Sequence, residues 1–315
     1  MKVLPRKVAI VGSGFVGSST AFALMMSGLV SEIALIDISL SKAEGEAMDL
    51  AHAASFIKPV DIYHGDFSAC ENASLIIYTA GANQKPGETR IDLVHKNTQV
   101  LKDTIPLIVK YAPKSIILMV TNPVDILTYA ALKISGFPPE RVIGSGTVLD
   151  SSRFRHVLSE RCSVDPRNVH GYIIGEHGDT ELPVWSLANI GGVSIDSYCS
   201  LCTIDFTEKA KEDIAGQVKM AGYEIIRRKG ATYYAVALTV KRITEAIFRD
   251  ENSILTVSGL INKAYGLDDV CLSVPSLVNE NGRAKYFAFP IADSELKALH
   301  KSAAALQQIQ AQLKI

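Results

Sequence analysis

The sequence has few cysteines, almost no net charge and no long apolar run, and each shortage excludes a class of protein. Its five cysteines are widely spaced, which is not the pattern of a disulfide-stabilised secreted domain. The formal net charge is −1, so no broad basic surface exists to bind nucleic acid or an anionic membrane. No apolar run reaches the roughly 18 residues of a membrane span, and the N-terminus does not look like a signal peptide. We therefore expect a cytoplasmic protein without nucleic-acid or membrane partners.

One cysteine pair, Cys199 and Cys202, has the CxxC spacing found in metal-binding and redox motifs. A structural zinc site usually requires a second such pair or two histidines, and neither lies nearby in the sequence. A redox pair is expected near a helix start in a strand–helix–strand unit. We interpret these residues as packing or surface thiols and predict no metal site.

Short apolar runs alternate with helix-length segments through the first half of the chain. The runs are rich in Val, Ile and Leu and do not alternate with polar residues, as in strands buried on both faces of a parallel sheet. They cover residues 7–12, 32–37, 60–65, 74–81, 115–122 and 141–146. Their repetition predicts an α/β fold with a doubly wound parallel sheet and right-handed crossovers.

After about residue 146 the pattern becomes a mixture of helices and short antiparallel strands. Helices are predicted over 148–162, in two segments of 206–249 broken near Lys229-Gly230, and in the closing stretch 293–315. Asn281-Gly282 indicates a hairpin turn. We therefore predict two domains, a parallel α/β domain over 1–146 and a mixed α+β domain over 147–315.

The segment after the first predicted strand fits the dinucleotide-binding pattern GxGxxG. Gly12 permits the tight turn, Gly14 lets the backbone approach a pyrophosphate, and Gly17 permits close helix–strand packing. Asp37 ends the next strand, where a carboxylate accepts hydrogen bonds from ribose hydroxyls and repels a 2′-phosphate. The alternative is a glycine-tolerant turn with a surface aspartate. This strand–helix–strand setting instead predicts a Rossmann domain that binds NAD, with the second domain holding the substrate.

His177, in the stretch IIGEHGDTELPV, is the predicted acid–base residue. Oxidation of an alcohol to a carbonyl by NAD releases a proton, which an imidazole can accept reversibly near neutral pH. Asp150, near the start of a predicted helix, is the expected partner of the other ring nitrogen. Arg153 lies three residues further along the same helix face, where it can bind a substrate carboxylate through two hydrogen bonds. Judged alone, Asp150 and Arg153 fit an ordinary helix ion pair better.

Three further polar residues are predicted to reach the substrate. The loop 81–90 is long and polar and follows a strand at the cofactor edge, so we interpret it as a lid whose Arg90 polarises the reacting carbonyl. Asn122 is expected to hold the substrate oxygen from the other side, and Thr232 to line the pocket. The alternatives are that Arg90 is a surface arginine at a helix start, that Asn122 is a turn asparagine and that Thr232 is a helix N-cap.

Several motifs, in order over nearly the whole chain, resemble those of one enzyme family. They are GSGFVG, GANQKPGETR, TNPVD, GTVLDSSRFR, GEHGDT and KGATYY. The chain resembles the NAD-dependent L-lactate dehydrogenases of bacterial type, which belong to the lactate/malate dehydrogenase family. The resemblance implies reversible reduction of pyruvate to L-lactate, with the roles given above for His177, Asp150, Arg153, Arg90 and Asn122. It also implies further cofactor contacts at Val16, Lys42, Gly81, Ala82, Asn122 and Ser145.

Gln84 in the predicted lid distinguishes between lactate and malate as substrates. The related malate dehydrogenases carry arginine in this position, because a dicarboxylate needs a second cation. With the neutral Gln84, a dicarboxylate would bring an unpaired charge under a closed lid, which is a large penalty. We therefore predict pyruvate and lactate as substrates. Malate dehydrogenase is the alternative, and a catalytically idle NAD-binding protein of the same fold is a second.

Arg155 and His170 are two cationic residues that the catalytic interpretation does not use. Judged alone, Arg155 fits a solvent-exposed arginine on a helix, and His170 fits a hydrogen-bonded histidine in a strand. Allosteric bacterial lactate dehydrogenases, however, carry arginine and histidine at these positions and bind fructose 1,6-bisphosphate with them across a twofold subunit interface. The resemblance therefore implies activation by this sugar bisphosphate in a homo-oligomer, with a tetramer expected.

Overall fold

The first half of the chain folds as alternating strands and helices, as its sequence predicts. The computed structural model describes residues 6–82, 87, 89–313 and 315. The strands of this half are β1 (Lys7–Val11), β2 (Glu32–Ile36), β3 (Asp61–Gly65), β4 (Leu75–Tyr78), β5 (Ile116–Met119) and β6 (Val142–Gly144). The helices are α1 (Phe15–Ser27), α2 (Leu40–His52), α3 (Arg90–Tyr111) and α4 (Val124–Ser135). Each of the predicted apolar runs contains one of these strands.

Helices cover both faces of the sheet that these strands form. The strands pair in parallel in the order β6–β5–β4–β1–β2–β3. Within β1, Val8 and Ile10 pack in one core with residues of α1 and α2, whereas Ala9 and Val11 pack in a second core with α3 and α4. Because neither face meets water, the strand sequences need no polar alternation. The predicted doubly wound α/β fold is confirmed.

The second half contains five helices and ten short strands among the described residues. The helices are α5 (Val148–Cys162), α6 (Ile195–Leu201), α7 (Glu208–Lys229), α8 (Tyr234–Phe248) and α9 (Asp293–Gln310). The first strands are β7 (Val169–His170), β8 (Ile173–Ile174), β9 (Leu182–Pro183), β10 (Asn189–Ile190) and β11 (Val193–Ser194). The others are β12 (Ser253–Leu255), β13 (Ser258–Ile261), β14 (Val270–Ser273), β15 (Ser276–Asn279) and β16 (Gly282–Tyr286). Their pairings are antiparallel, which confirms the mixed α+β pattern.

Local signals in the second half are also confirmed. Helix α5 spans residues 148–162 as predicted, and α7 ends before Gly230, whose φ of 82° is in the left-handed region that favours glycine. The chain reverses between the paired residues Asn279 and Gly282, so the hairpin lies where Asn281-Gly282 indicated it. Among the described residues, no helix is both long and apolar enough to cross a membrane.

Two strands of the second half join the first sheet, which the sequence did not reveal. The hairpin β13–β14 pairs internally in antiparallel fashion, and Ser258 of β13 pairs with Gly144 of β6. The sheet therefore has eight strands in the described chain. Helix α5 begins shortly after β6, so the edge where β6 ends is close to elements from both halves. This arrangement brings several of the predicted site residues together.

Candidate active site

The glycine loop between β1 and α1 is shaped by backbone contacts that exclude side chains. A Cβ atom at Gly12 would lie 2.6 Å from the Ala80 amide nitrogen, and one at Gly17 would lie 1.9 Å from the Gly12 carbonyl oxygen. A Cβ at Gly14 would meet no atom within 4 Å, so the approach to the start of α1 is open. Within the described residues no side chain caps the first turn of α1, which leaves its N–H groups to an external acceptor. These features fit a dinucleotide pyrophosphate.

Asp37 lies beside this loop and is held there by hydrogen bonds. Its Oδ2 accepts from the backbone N–H of Ser13 at 2.7 Å and from the Ser13 hydroxyl at 3.0 Å, and its Oδ1 accepts from Ser39 N–H at 2.9 Å. Burial would raise the pKa of Asp37, but these hydrogen bonds and the charge of Lys42 lower it below its ordinary value. The carboxylate is therefore ionised at neutral pH and suited to accept hydrogen bonds from ribose hydroxyls.

Val16 and Lys42, two other predicted cofactor residues, lie in α1 and α2, and the remaining four follow the carboxyl ends of neighbouring strands. Gly81 and Ala82 come after β4, Asn122 after β5 and Ser145 after β6. Asn97 of α3, which sequence reasoning missed, connects two of these strand ends. Its Oδ1 accepts from Ala82 N–H at 2.7 Å, and its Nδ2 donates to the Asn122 carbonyl at 3.0 Å. The edge of a parallel sheet is the usual place for a dinucleotide, so these positions fit NAD.

His177, Asp150 and Arg153 form one hydrogen-bonded cluster. Asp150 Oδ2 lies 2.5 Å from His177 Nδ1, and Asp150 Oδ1 accepts from Arg153 Nη1 at 2.7 Å. Because Nδ1 faces the carboxylate, Nε2 is the ring nitrogen left to face a ligand. Among the described residues, the Arg153 side chain hydrogen-bonds only to Asp150, through Nη1. Its Nη2 and Nε donors are therefore left to bind a ligand. The structure thus brings the predicted base, its partner and the carboxylate-binding residue together.

Electrostatics favour the protonated form of His177. Burial alone would lower its pKa, but the charge and hydrogen bond of Asp150 and the charges of Asp125 and Glu181 raise it to about 9. Asp150 is almost completely buried, yet its ionised form is stabilised by His177 and Arg153, so its pKa lies below the ordinary value. The pair is therefore an imidazolium and a carboxylate at neutral pH.

Asp125 orients the loop that carries His177, and sequence reasoning missed it. It lies in the first turn of α4, three residues after Asn122, and is 2% exposed. Its Oδ2 accepts from the backbone N–H of His177 at 2.7 Å, and its Oδ1 accepts from the Ser258 hydroxyl at 2.6 Å. Burial raises its pKa to about 6, although these hydrogen bonds favour the ionised form. One carboxylate thus connects α4, β13 and the His177 loop.

Glu181 is a second acidic residue of the cluster that sequence reasoning missed. Its carboxylate, the Asp150 carboxylate and a His177 ring nitrogen all lie within 4.8 Å of one another. This residue follows His177 by four positions and immediately precedes β9. A proximity of this kind cannot be read from the sequence, where the glutamate looks like a polar loop residue.

Some predicted site residues are not joined to this cluster by a described contact. Gln84 lies outside the described residues, and so does the side chain of Arg90, which begins α3. Asn122 is exposed beside the sheet edge. Thr232 lies in the segment between α7 and α8, whose N-cap is Tyr233. The alternative for Thr232, that it is a helix N-cap, is therefore wrong, and its place in the pocket stays a prediction.

Arg155 and Arg153 point to different surroundings although both belong to α5. Arg155 Nε donates to the Ser151 carbonyl of its own helix at 3.2 Å, and the side chain lines a small cavity with Tyr172. Its pKa is lowered by burial and by the charge of Arg242. His170 is exposed on β7. No hydrogen bond joins Arg155 to His170 within the described part of the chain.

Two family models together match almost the whole chain. The model of the lactate/malate dehydrogenase NAD-binding domain matches residues 6–144, and that of the lactate/malate dehydrogenase alpha/beta C-terminal domain matches residues 147–314. The first match covers the glycine loop and the strand ends described above. The second covers the cluster of His177, Asp150 and Arg153.

Similar proteins agree with these matches in both sequence and structure. The L-lactate dehydrogenase of Acetivibrio thermocellus is 59% identical over 304 residues, with 96% of each chain covered. That of Moorella thermoacetica is 55% identical over 312 residues, which is 99% of this chain and 98% of the relative. The crystal structure of a minor L-lactate dehydrogenase from Enterococcus mundtii, in a ligand-bound form, superposes with a TM-score of 0.96 at 41% identity and covers 99% of both chains.

Proposed function

The chain belongs to the lactate/malate dehydrogenase family, and from this premise we propose that it is an L-lactate dehydrogenase that reduces pyruvate reversibly. It is an NAD-dependent oxidoreductase whose NAD-binding domain has the Rossmann fold. The observation that carries the proposal is the double contact of Asp150, which bonds both His177 and Arg153. That contact puts a proton donor beside a guanidinium that can hold a 2-keto acid by its carboxylate. We also propose residues 1–146 as the cofactor domain and 147–315 as the substrate domain.

The cluster suits proton transfer to a keto oxygen. When bound, NADH supplies the hydride for the carbonyl carbon. His177, protonated at neutral pH, donates its Nε2 proton to the developing alkoxide, and in the reverse direction the neutral ring accepts it. Asp150 stabilises the imidazolium and fixes the ring orientation. Arg153 orients the substrate through its carboxylate, and Asp125 fixes the backbone of His177.

Four residues outside the cluster complete the proposal. Arg90 begins α3, which follows the loop proposed as the lid, and its guanidinium is proposed to polarise the keto oxygen once water is excluded. Asn122 would contact the same oxygen from the carboxyl end of β5, and Thr232 would border the pocket. Gln84 would meet the substrate end opposite its carboxylate, where a neutral residue suits the methyl group of pyruvate.

Steady-state kinetics with two keto acids test the substrate. We expect the protein to oxidise NADH with pyruvate much faster than with oxaloacetate, because Gln84 offers no charge to a second carboxylate. In Gln84→Arg, kcat/KM for oxaloacetate should rise at least ~10-fold and that for pyruvate should fall, because a new ion pair forms under the lid. Gln84→Met, a neutral control of similar size, should gain nothing with oxaloacetate. A native preference for oxaloacetate would instead favour malate dehydrogenase, and absence of turnover would favour the idle NAD-binding protein.

We further propose activation by fructose 1,6-bisphosphate in a homotetramer. Arg155 is a partly buried cation with no acidic hydrogen-bond partner among the described residues, and a second cation, Arg242, lowers its pKa. A twofold axis would duplicate Arg155 and His170, giving a set of cations that matches a ligand with two phosphates. Neutralising their repulsion would favour one assembly state.

The effector proposal predicts a change in pyruvate affinity. In dilute protein at sub-saturating pyruvate, fructose 1,6-bisphosphate should lower KM several-fold, because it favours the state that binds substrate. Arg155→Gln should lose this response, whereas Arg167→Gln, which removes an exposed arginine paired with Asp165, should keep it. An unchanged KM in the native protein would remove the effector from the proposal without affecting the assignment of substrate.

A further inference from the structure

Glu181 has a half-buried carboxylate that the reaction above does not use. Its oxygen atoms lie within 4.8 Å of the Asp150 carboxylate and of a His177 ring nitrogen. Among the described residues, no side chain or backbone group donates a hydrogen bond to it. A buried carboxylate without a donor and beside another carboxylate is more stable when it holds a proton.

The charges around Glu181 come from three elements. Asp150 and Arg153 face it from α5, His177 from its own loop, and Lys219 from α7. The Lys219 ammonium donates to the backbone carbonyl of Asp179 in the same loop. Burial and the charge of Asp150 raise the pKa of Glu181 to about 8, although the nearby cations act in the opposite direction.

An anionic substrate changes this balance. Helix α7 lies over the Arg153 guanidinium, since a Cβ at Gly222 would be 3.8 Å from Nη2. A substrate carboxylate on Arg153 would therefore enter a confined space that already holds Asp150 and Glu181. Ionised Glu181 would then repel a second anion at close range with little water between them.

We propose that Glu181 is a second proton-binding residue of the site, and that it is protonated whenever a substrate carboxylate occupies Arg153. This inference rests on the proposed function, because the proposed substrate supplies the anion. It makes Glu181 a residue that adjusts charge, whereas His177 alone donates the proton that is consumed. Substrate binding at alkaline pH then requires two protons, one at His177 and one at Glu181.

The number of protons can be counted with oxamate, the unreactive amide analogue of pyruvate. We would measure the Kd of oxamate for the protein saturated with NADH, by quenching of NADH fluorescence, from pH 6 to 10.5. At pH values above the pKa of both His177 and Glu181, the slope of log Kd against pH equals the number of protons taken up when oxamate binds. The native protein should approach a slope of two, which is about a 100-fold loss of affinity per pH unit. Glu181→Gln, which is isosteric and cannot ionise, should approach a slope of one.

Two controls separate proton binding from a structural effect. Asp179→Asn removes an exposed acidic group from the same loop and should keep the native slope. Glu181→Asp keeps a titratable carboxyl and should also retain a slope near two. A limiting slope of one in the native protein overturns the proposal without any variant, and so does a slope of two in Glu181→Gln. If pyruvate is reduced but the slopes of the native protein and of Glu181→Gln coincide, only this inference fails. If the native protein neither reduces pyruvate nor binds oxamate, the proposed function fails as well.

Discussion

Replacing His177 by alanine should lower kcat for pyruvate reduction by about 10³-fold or more, because a positioned general acid contributes 10²–10⁴-fold. The variant also loses a hydrogen-bond donor to the keto oxygen. NADH affinity should change little, since the glycine loop and Asp37, which are the proposed cofactor-binding groups, lie in the first half of the chain. Rapid mixing and fluorescence titration measure the two quantities separately.

The pH dependence of the native protein tests the proposed role of His177 as the proton donor. In the proposed mechanism pyruvate reduction needs the imidazolium and a protonated Glu181, so kcat/KM should fall as pH rises through the Glu181 pKa of about 8 and the His177 pKa of about 9. Lactate oxidation needs the neutral ring in this mechanism, so its kcat/KM should rise with pH up to about 8, above which ionised Glu181 opposes lactate binding. His156→Ala, which removes an exposed histidine paired with Glu160 on α5, should leave both profiles unchanged. Full activity in His177→Ala would mean that another group moves the proton.

Features that depend on a short stretch of sequence were predictable. The glycine loop, the buried strands and helix α5 follow from patterns within about 30 residues. The rules of strand pairing and crossover handedness then limit how these strands and helices can be arranged. The contact between Asp150 and Arg153 belongs to the same class, since three residues along a helix bring two side chains to one face. Asp150 and His177 are 27 residues apart, so the spacing alone does not predict their contact. The contact was predicted from chemistry, because a base of this kind needs an anionic partner.

Features that depend on distant contacts were not predictable from one sequence. Asp125 bonds His177, 52 residues away, and Ser258, 133 residues away. In the sequence it resembles an acidic residue in the first turn of a helix, which the helix dipole alone would explain. Ser258 reaches it because β13 joins the edge of the first sheet, and an antiparallel hairpin pattern does not specify which sheet it extends. Glu181 was missed for a similar reason, since its proximity to Asp150 arises from tertiary packing.

The cluster has more carboxyl groups than cationic groups before substrate binds. Asp150, Glu181 and Asp125 are its carboxyl groups, and Arg153 and His177 are the cations that touch Asp150. A substrate anion adds another negative charge, so Arg153 has to interact with Asp150 and with the substrate at once. A guanidinium can do so because its donors point along separate directions, whereas an ammonium is a single point charge.

Arg153→Lys should therefore lower kcat/KM for pyruvate by about 10²–10³-fold while preserving the net charge. Loss of one two-pronged contact with a carboxylate in a confined site costs about 3–4 kcal/mol, and each 1.4 kcal/mol corresponds to a factor of ten. NADH affinity and the His177 pKa should change little, because Asp150 keeps a cationic neighbour. Arg161→Lys is the matched control on α5, where the arginine donates to the Asp205 carbonyl away from the site, and its kcat/KM should stay within about twofold. If Arg153→Lys retained native kcat/KM, the substrate carboxylate would have to bind elsewhere, and the double contact of Asp150 would be an ordinary helix ion pair.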